Sequence, residues 1–189
     1  MFHSHSTQLA MTDGETTGMR LSRAQVGLVL PCDGHPPCDL RTVSLLDAAA
    51  LVVSDFRQVP PITVNEDSSI DEALRDMIRF GVRALLVVRD GAVTGLITSY
   101  DIQGERPLQF LQGSTFTRHE EIEVGHIMTP WEEVPMIEWA TLEQARVIDL
   151  LEILEGTGAT HLVVVESTSG SSSVRGLISR TQVQRRLGL

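Results

Sequence analysis

Three residues near the middle of the chain carry side chains suited to an anionic ligand with neighbouring hydroxyl groups. Thr98 and Asp101 stand three residues apart where a helix is predicted to begin, and Arg83 precedes a run of apolar residues. A helix start offers unpaired backbone N–H groups to an anion, and the Thr98 hydroxyl adds another donor. A carboxylate such as Asp101 can accept hydrogen bonds from both hydroxyls of a ribose. Arg83 supplies a fixed positive charge.

The same residues also have a purely structural interpretation. Thr98 and Asp101 have the spacing of an ordinary helix N-cap, and on the pattern alone capping is the stronger interpretation. Similar patterns at residues 69–72 and 141–144 predict two further helix starts. Arg83 is equally well explained as a solvated surface residue.

The segments that position these residues occur twice in the sequence. Residues 83–103 and 160–184 each contain a strand-like apolar run, a turn, a second run that ends in Gly-Leu-Ile, a Thr or Ser, and a helix start. An internal repeat of this kind indicates one structural unit built twice.

The first copy contains clear signals for each element. The sequence predicts a strand at 62–64, a capping box at 69–72, a helix ended by Gly81, a buried strand at 85–88, a tight turn at Asp90-Gly91 and a returning strand at 92–97. Ahead of them, residues 44–53 are predicted to form a short lead-in helix. Each signal is local, so each prediction can be checked separately.

The second copy gives a parallel series of predictions. They are a strand at 134–137, a capping box at 141–144, a helix ended by Gly156 and Gly158, a buried strand at 162–165, a mobile Ser/Gly-rich loop at 167–173 and a returning strand at 174–178. The apolar helix face is expected at Val147, Leu150, Leu151 and Leu154.

Both copies therefore read β-α-β-β-α, which predicts a mixed α/β (α+β) fold. The first crossover must be right-handed and give parallel strands, and the hairpin adds an antiparallel strand. Such a small sheet cannot bury both faces alone, but two copies packed about a pseudo-twofold axis can. We predict an N-terminal tail at 1–43, a first repeat with its lead-in helix at 44–110, a linker at 111–123 and a second repeat at 124–189.

Two short motifs and the element order resemble the cystathionine-β-synthase-type (CBS) domain, which occurs in tandem pairs. The motifs are Gly-Leu-Ile-Thr-Ser-Tyr-Asp at 95–101 and His-Ile-Met-Thr-Pro at 126–130, and the resemblance covers about residues 57–187. It implies a regulatory, energy-sensing module that binds AMP, ADP, ATP or S-adenosylmethionine between its repeats. It also implies a homodimer that signals to a regulated protein.

The resemblance further implies which residues hold the ligand. Thr98 and Asp101 match the positions that hold phosphate and ribose, and Arg83 matches a frequent phosphate contact. Val59, Pro61 and Ile62 match the segment that lines the adenine. The candidate set is completed by Ser99 and, at the second helix start, by Ser179 and Arg180.

The second copy departs from this pattern at two positions. Gln182 stands where the carboxylate is expected, and Thr160 stands where the first copy has Arg83. Gln can still form hydrogen bonds but is neutral, and Arg180 offers a replacement contact to phosphate. The sequence therefore predicts one complete site rather than two.

Composition limits the other possibilities. The 189 residues carry a formal net charge of −10 and a pI near 5.0, which argues against nonspecific nucleic-acid binding. No apolar run is long enough to cross a bilayer, and the first residues lack the order of a signal peptide. Two cysteines do not make a disulfide scaffold. We expect a cytoplasmic protein with no nucleic-acid or membrane partner.

A possible metal site lies in the predicted tail. Cys32, His35 and Cys38 are spaced by two residues each, and His3 and His5 are candidate fourth ligands. Zinc requires four such ligands in a tetrahedron, and this cluster lacks the paired spacing of known zinc fingers. The favoured interpretation is a tail with two reduced thiols and no metal or catalytic cofactor.

Three functions follow, in decreasing order of support. The first is an adenosine-ligand sensor, and the alternative is a ligand-free dimerisation or scaffold module, which the altered second motif favours. An enzyme is the weakest hypothesis because the sequence shows no nucleophile–base pair and no Walker loop.

Overall fold

The computed structural model of the protein describes residues 19–20, 42–113, 118, 121–168 and 171–189. Ahead of the first repeat lie the two short strands β1 (Met19–Arg20) and β2 (Ser54–Asp55), with a 3-10 turn at Ala49–Val52. The first repeat contains β3 (Thr63–Asn65), α1 (Ile70–Phe80), β4 (Ala84–Arg89), β5 (Ala92–Thr98) and α2 (Ser99–Gln103).

The connection between the repeats is partly helical. It contains α3 (Arg106–Gly113), α4 (Val124–Ile127), β6 (Thr129–Pro130) and a 3-10 turn at Trp131–Glu133. The second repeat contains β7 (Met136–Glu138), α5 (Trp139–Leu142), α6 (Val147–Thr157), β8 (His161–Thr168), β9 (Ser171–Ser179) and α7 (Arg180–Leu187). Within the described residues, no helix combines the length and the apolar character needed to cross a lipid bilayer.

Strand pairing confirms the predicted topology of both repeats. Strands β3 and β4 are parallel and β5 returns antiparallel to β4, while β7, β8 and β9 repeat the same arrangement. The two hairpins even share an irregularity, since their registers shift at Val87/Val88 and at Val164/Val165. The sequence repeat is therefore a repeat of structure as well.

Each sheet also receives a strand from the segment that leads into the other repeat. Strand β6 pairs with β5 of the first sheet, and β2 pairs with β9 of the second. These strands come so close that a Cβ atom at Gly95 would lie 2.5 Å from the Thr129 carbonyl oxygen. At Gly176 it would lie 2.7 Å from that of Ser54. This close approach explains why both copies of the motif have glycine at this position.

Three buried clusters show how the two sheets are covered. One lies between the first sheet and its helices and includes Ile70, Leu85 and Ile102, and a second does the same for the second repeat. The third joins the sheets face to face and includes Leu86, Leu96, Val134, Val163 and Val174. Both faces of each sheet are thus buried, as expected for two copies packed against each other.

The signals at the ends of the first-repeat helix are confirmed. Ser69 and Glu72 form a complete capping box, in which the Glu72 amide donates to Ser69 Oγ (3.2 Å) and the Ser69 amide to Glu72 Oε2 (3.3 Å). Gly81 ends α1 in the left-handed conformation with φ 66°. Asp90 and Gly91 form the tight turn with positive φ values of 52° and 78°.

Three predictions about elements are wrong. The capping box at 141–144 does not exist, because Thr141 lies inside α5 and α6 begins at Val147, where the Arg146 amide donates to Asp149 Oδ2 (2.8 Å). The mobile loop at 167–173 is mostly paired strand, since Ser167 pairs with Ser172 and Thr168 with Ser171. Of the lead-in helix at 44–53, only Ala49–Val52 is helical, as a 3-10 turn.

The lead-in segment packs on the second repeat rather than on the first. Val43, Ala49 and Val52 belong to the core of the second repeat, and the Val43 amide donates to the Arg186 carbonyl oxygen (2.9 Å). The domain boundaries at 44–110 and 124–189 remain a prediction. Together with the exchanged strands, these contacts tie the segment before each repeat to the other repeat.

Candidate functional site

The Thr98–Asp101 pair forms a complete helix cap. Thr98 is buried at the end of β5, and its amide and hydroxyl both donate to Asp101 Oδ2, at 2.8 and 2.7 Å. In return the Asp101 amide donates to Thr98 Oγ1 (3.2 Å). The structural interpretation of this motif is therefore correct, and any ligand role for the pair has to be compatible with the cap.

Arg106 is a second partner of Asp101. Its Nη1 lies 3.2 Å from Asp101 Oδ1, and it also donates to the Ile127 carbonyl oxygen (2.7 Å) and to Thr129 Oγ1 (3.3 Å). Arg106 therefore joins the start of α2 to the segment that leads into β6. The arginine also borders a cavity of about 320 Å³, in which the rings of Phe110 and His126 are stacked 4.4 Å apart.

Arg83 lies beside the start of α2 and meets the second repeat there. The Ser99 amide donates to the Arg83 carbonyl oxygen (2.9 Å), and Arg83 Nη1 donates to the Tyr100 hydroxyl (3.4 Å). The pKa of Tyr100 is lowered, first by a side-chain hydrogen bond with Thr181 and then by the hydrogen bond from Arg83. The positive charges of Arg83 and Arg180 lower this pKa further. Tyr100 is thus the point where the helix starts of the two repeats come together.

The positive charges of Arg83 and Arg180 also act on a buried histidine. His161, the first residue of β8, is only 4% exposed, and Thr160 Oγ1 lies 3.0 Å from its Nδ1. Burial lowers the pKa of His161 to about 4, and the charges of Arg180 and Arg83 contribute in the same direction. The imidazole is therefore neutral at pH 7.

Neither Arg83 nor Arg180 forms an ion pair with a carboxylate of the described part of the chain. In a protein of formal net charge −10, two arginines at one junction that pair with no described carboxylate form a local positive site. Their guanidinium groups are suited to phosphate or carboxylate oxygens. The junction of the two repeats is therefore able to attract an anion.

The second repeat reproduces the backbone of the site but not its side chains. The Arg180 amide donates to the Thr160 carbonyl oxygen (2.9 Å), as Ser99 does to Arg83. Ser179 occupies the N-cap position of α7 without a side-chain capping hydrogen bond. Gln182 therefore does not replace the contacts that Asp101 makes to Thr98.

The three residues expected to line an adenine lie on the approach to β3. The Ile62 carbonyl oxygen accepts a hydrogen bond from Leu86 (3.2 Å), and Ile62 packs against the core of the first repeat. Pro61 is half-buried, and Val59 is exposed. Ile62 thus lies against the cluster that contains Ile102 of α2.

Sequence reasoning missed three residues of this region: Tyr100, Thr181 and Arg106. Tyr100 and Thr181 occupy the same position in the two copies, three residues after Ile97 and Ile178. A pseudo-twofold axis brings corresponding positions of the two copies together. The internal repeat could therefore have predicted the contact between Tyr100 and Thr181. The role of Arg106 could not be predicted in this way. Its contacts to Ile127 and Thr129 depend on how the segment between the repeats folds.

The predicted metal ligands Cys32, His35 and Cys38, with His3 and His5, lie outside the described residues. Among the residues that are described, no group of three or more His, Cys, Asp or Glu side chains could hold a metal ion.

Comparison with known proteins supports the fold. Residues 53–106 match the model of the CBS domain family. The chain contains a CBS domain. A search of curated proteins finds no match to the sequence.

Several solved CBS-domain structures resemble the whole repeat region. A CBS-domain protein from Agrobacterium tumefaciens is 22% identical, with a TM-score of 0.53, and the match covers 75% of this chain and 93% of that one. The CBS domain pair of protein MJ0100, in complex with 5-methylthioadenosine and S-adenosyl-L-methionine, is 21% identical with a TM-score of 0.52, covering 76% and 97%. CBSX2 in complex with AMP is 21% identical with a TM-score of 0.51, covering 73% and 93%.

At these identities the likeness establishes the fold. The two repeats together have the fold of a CBS domain pair, and the CBS family model covers the residues from Val53 to Arg106, including Arg83, Thr98 and Asp101. The second repeat lies outside the residues that the family model matches, and its strands pair as those of the first repeat do.

Proposed function

We propose that this chain is a regulatory CBS module that binds an adenine nucleotide between its two repeats. Two observations carry the proposal. Arg83 donates to the Tyr100 hydroxyl (3.4 Å), and the charge of Arg180, from the other repeat, lowers the pKa of the same Tyr100. No described carboxylate pairs with either arginine. An anion held there contacts both repeats at once. Its binding is therefore coupled to the angle between the repeats, which is how a hinge transmits a signal.

The charge of the site favours AMP, ADP or ATP over S-adenosylmethionine. Solved CBS pairs of the same fold have been obtained with AMP and with S-adenosyl-L-methionine, so the fold accommodates either ligand. S-adenosylmethionine carries a positively charged sulfonium group, which Arg83 and Arg180 repel, whereas the negative charge of a phosphate attracts them. The neutral imidazole of His161 adds no further positive charge to the junction.

In this proposal each candidate residue has a defined role. Asp101 accepts the ribose hydroxyls, Arg83 and Arg180 bind the phosphate, and Thr98 holds Asp101 in place. Ser99 and Ser179 offer hydroxyls beside the phosphate. The adenine lies against Val59, Pro61 and Ile62.

The predictions about partners belong to the same proposal. We infer a cytoplasmic homodimer without catalytic activity of its own, which passes the nucleotide signal to a separate regulated protein. Light scattering of the purified chain with and without nucleotide tests the dimer, and a monomer under both conditions contradicts it.

The proposal is tested by titrating the protein with AMP, ADP, ATP and S-adenosylmethionine in a calorimeter. We expect saturable binding of at least one nucleotide, tighter than that of S-adenosylmethionine, and weakened about threefold to tenfold in R83Q and in R180Q. R57Q is the matched control, because Arg57 is also exposed but pairs with Glu166 away from the junction. Absence of nucleotide binding, or a preference for S-adenosylmethionine, contradicts the proposal.

A ligand-free scaffold is the second candidate function. The complete capping contacts of Thr98 and Asp101 favour it, because they give both residues a structural role without a ligand. A scaffold has a melting temperature that does not respond to nucleotides, whereas a nucleotide sensor is stabilised by mass action.

A further inference from the structure

Both oxygens of the Asp101 carboxylate already have partners in the fold. Oδ2 accepts the amide and hydroxyl of Thr98, and Oδ1 faces Arg106 at 3.2 Å. The Asp101 side chain is only 13% exposed, whereas that of Arg106 is 45% exposed. Because Oδ2 already accepts two hydrogen bonds, Oδ1 is the oxygen left for an incoming hydroxyl, and Arg106 lies beside it.

Arg106 can leave Asp101 at little cost. It has other partners in the Ile127 carbonyl oxygen (2.7 Å) and Thr129 Oγ1 (3.3 Å), and it borders the cavity of about 320 Å³. Nη1 makes all three contacts but carries only two protons, so the Ile127 carbonyl oxygen and Thr129 Oγ1 can satisfy it without Asp101. Thr98 has no such freedom, since its amide is fixed at the end of β5.

We propose that Arg106 is a positioning residue that competes with the ligand ribose for Asp101 Oδ1. This inference rests on the proposed function, in which Asp101 accepts the ribose hydroxyls. Arg106 then lowers the affinity for ribose-containing ligands. Because it also binds the segment leading into β6, it links ribose binding to the connection between the repeats.

The test compares AMP with 2′,3′-dideoxyadenosine 5′-monophosphate, which lacks both ribose hydroxyls. In R106Q the ratio of AMP affinity to dideoxy-AMP affinity rises about two- to fivefold, the scale of one partly exposed ion pair. Any general loss of attraction for the phosphate affects both ligands and cancels in the ratio. In R106K, which keeps the charge, the ratio stays near the wild-type value.

R89Q is the matched control, because Arg89 is an exposed arginine of the same repeat that pairs with Glu66 (3.0 Å) away from Asp101. We expect it to leave the ratio unchanged. The inference about Arg106 is overturned if the ratio is unchanged or lower in R106Q, or if it rises equally in R106Q and R89Q. In either case, AMP binding by the wild type still supports the proposed function. Wild-type protein that binds neither ligand overturns both.

Discussion

The two repeats of this chain have the same backbone and different polar chemistry. Equivalent strands pair in the same way, and both leading segments cross to the other sheet at a glycine, Gly95 or Gly176. At the helix starts the repeats differ, since Thr98 and Asp101 cap α2 fully whereas Ser179 and Gln182 leave α7 without this side-chain cap. Apolar packing therefore preserves the fold in both copies, while only one copy keeps the carboxylate.

The crossing strands show the same contrast. In the second sheet Arg175 binds Asp55 of β2 (2.9 Å), and both side chains are almost fully buried beside Trp139. In the first sheet Arg106 holds the segment around β6, but it is half exposed and shares its guanidinium with Asp101. One arginine is a fixed structural contact, and the other is connected to the candidate site.

If the two repeats are packed equivalently, the same substitution at matching core positions must lower the free energy of unfolding by the same amount. Leu85 and Leu162 follow the first residue of β4 and β8 and are both fully buried. We expect L85A and L162A each to lower the free energy of unfolding by about 2–5 kcal/mol, as for other buried leucines. Urea unfolding measures both values, and a loss confined to one repeat would show that the copies are not equivalent in packing.

A difference between the repeats is expected in the pH dependence of stability. His161 corresponds to Ala84, since they pair with Ser179 and Thr98 respectively. Its pKa is about 4 in the fold and near 6.5 when unfolded, so between these values the unfolded chain binds the additional proton. This group therefore lowers stability as the pH falls from about 6.5 to 4, by at most roughly 3 kcal/mol.

The variant H161A, which introduces the residue of the first repeat, tests this effect. We expect the free energy of unfolding of H161A to fall less steeply between pH 6.5 and 4 than that of the wild type. The comparison uses the slope, so a constant loss of packing does not affect it. Equal slopes would mean that His161 is not kept neutral by burial.

The smallest expected effect comes from restoring the missing cap. In Q182D the new carboxylate is placed to accept the Ser179 amide, as Asp101 accepts the Thr98 amide. We expect a gain of about 0.5–1 kcal/mol in the free energy of unfolding, the usual value of a helix cap. Q182E, with a longer side chain, is the control, and a loss of stability in Q182D would show that α7 begins differently from α2.

The sequence predicted those parts of the structure that depend on local signals. Ser69, Glu72 and Gly81 act within one helix, so their residue types were sufficient to place α1. The capping pattern at Thr141 failed because Trp139 and its neighbours form a separate helical turn. Helix α6 begins at Val147, six residues after Thr141, with Arg146 as its N-cap. Counting back the length of α1 from Gly158 would have given the correct start.

The candidate site was only partly accessible from sequence for a related reason. Arg83, Thr98 and Asp101 lie close together because the β4–β5 hairpin makes them neighbours. The contacts of Tyr100 with Thr181 and of Arg106 with Ile127 join distant segments, and they follow from the packing of the repeats. Tertiary contacts of this kind require the fold to be known.

The central claim is that one repeat, not both, supplies the ribose-binding carboxylate. Calorimetric titration of the wild type, D101N and Q182A with whichever adenine nucleotide binds best tests it directly, with the melting temperature of each variant as a check on folding. We predict one nucleotide per chain, a loss of affinity of about 10- to 100-fold in D101N, and a change below about twofold in Q182A. Two nucleotides per chain, or equal losses in the two variants, would contradict the account.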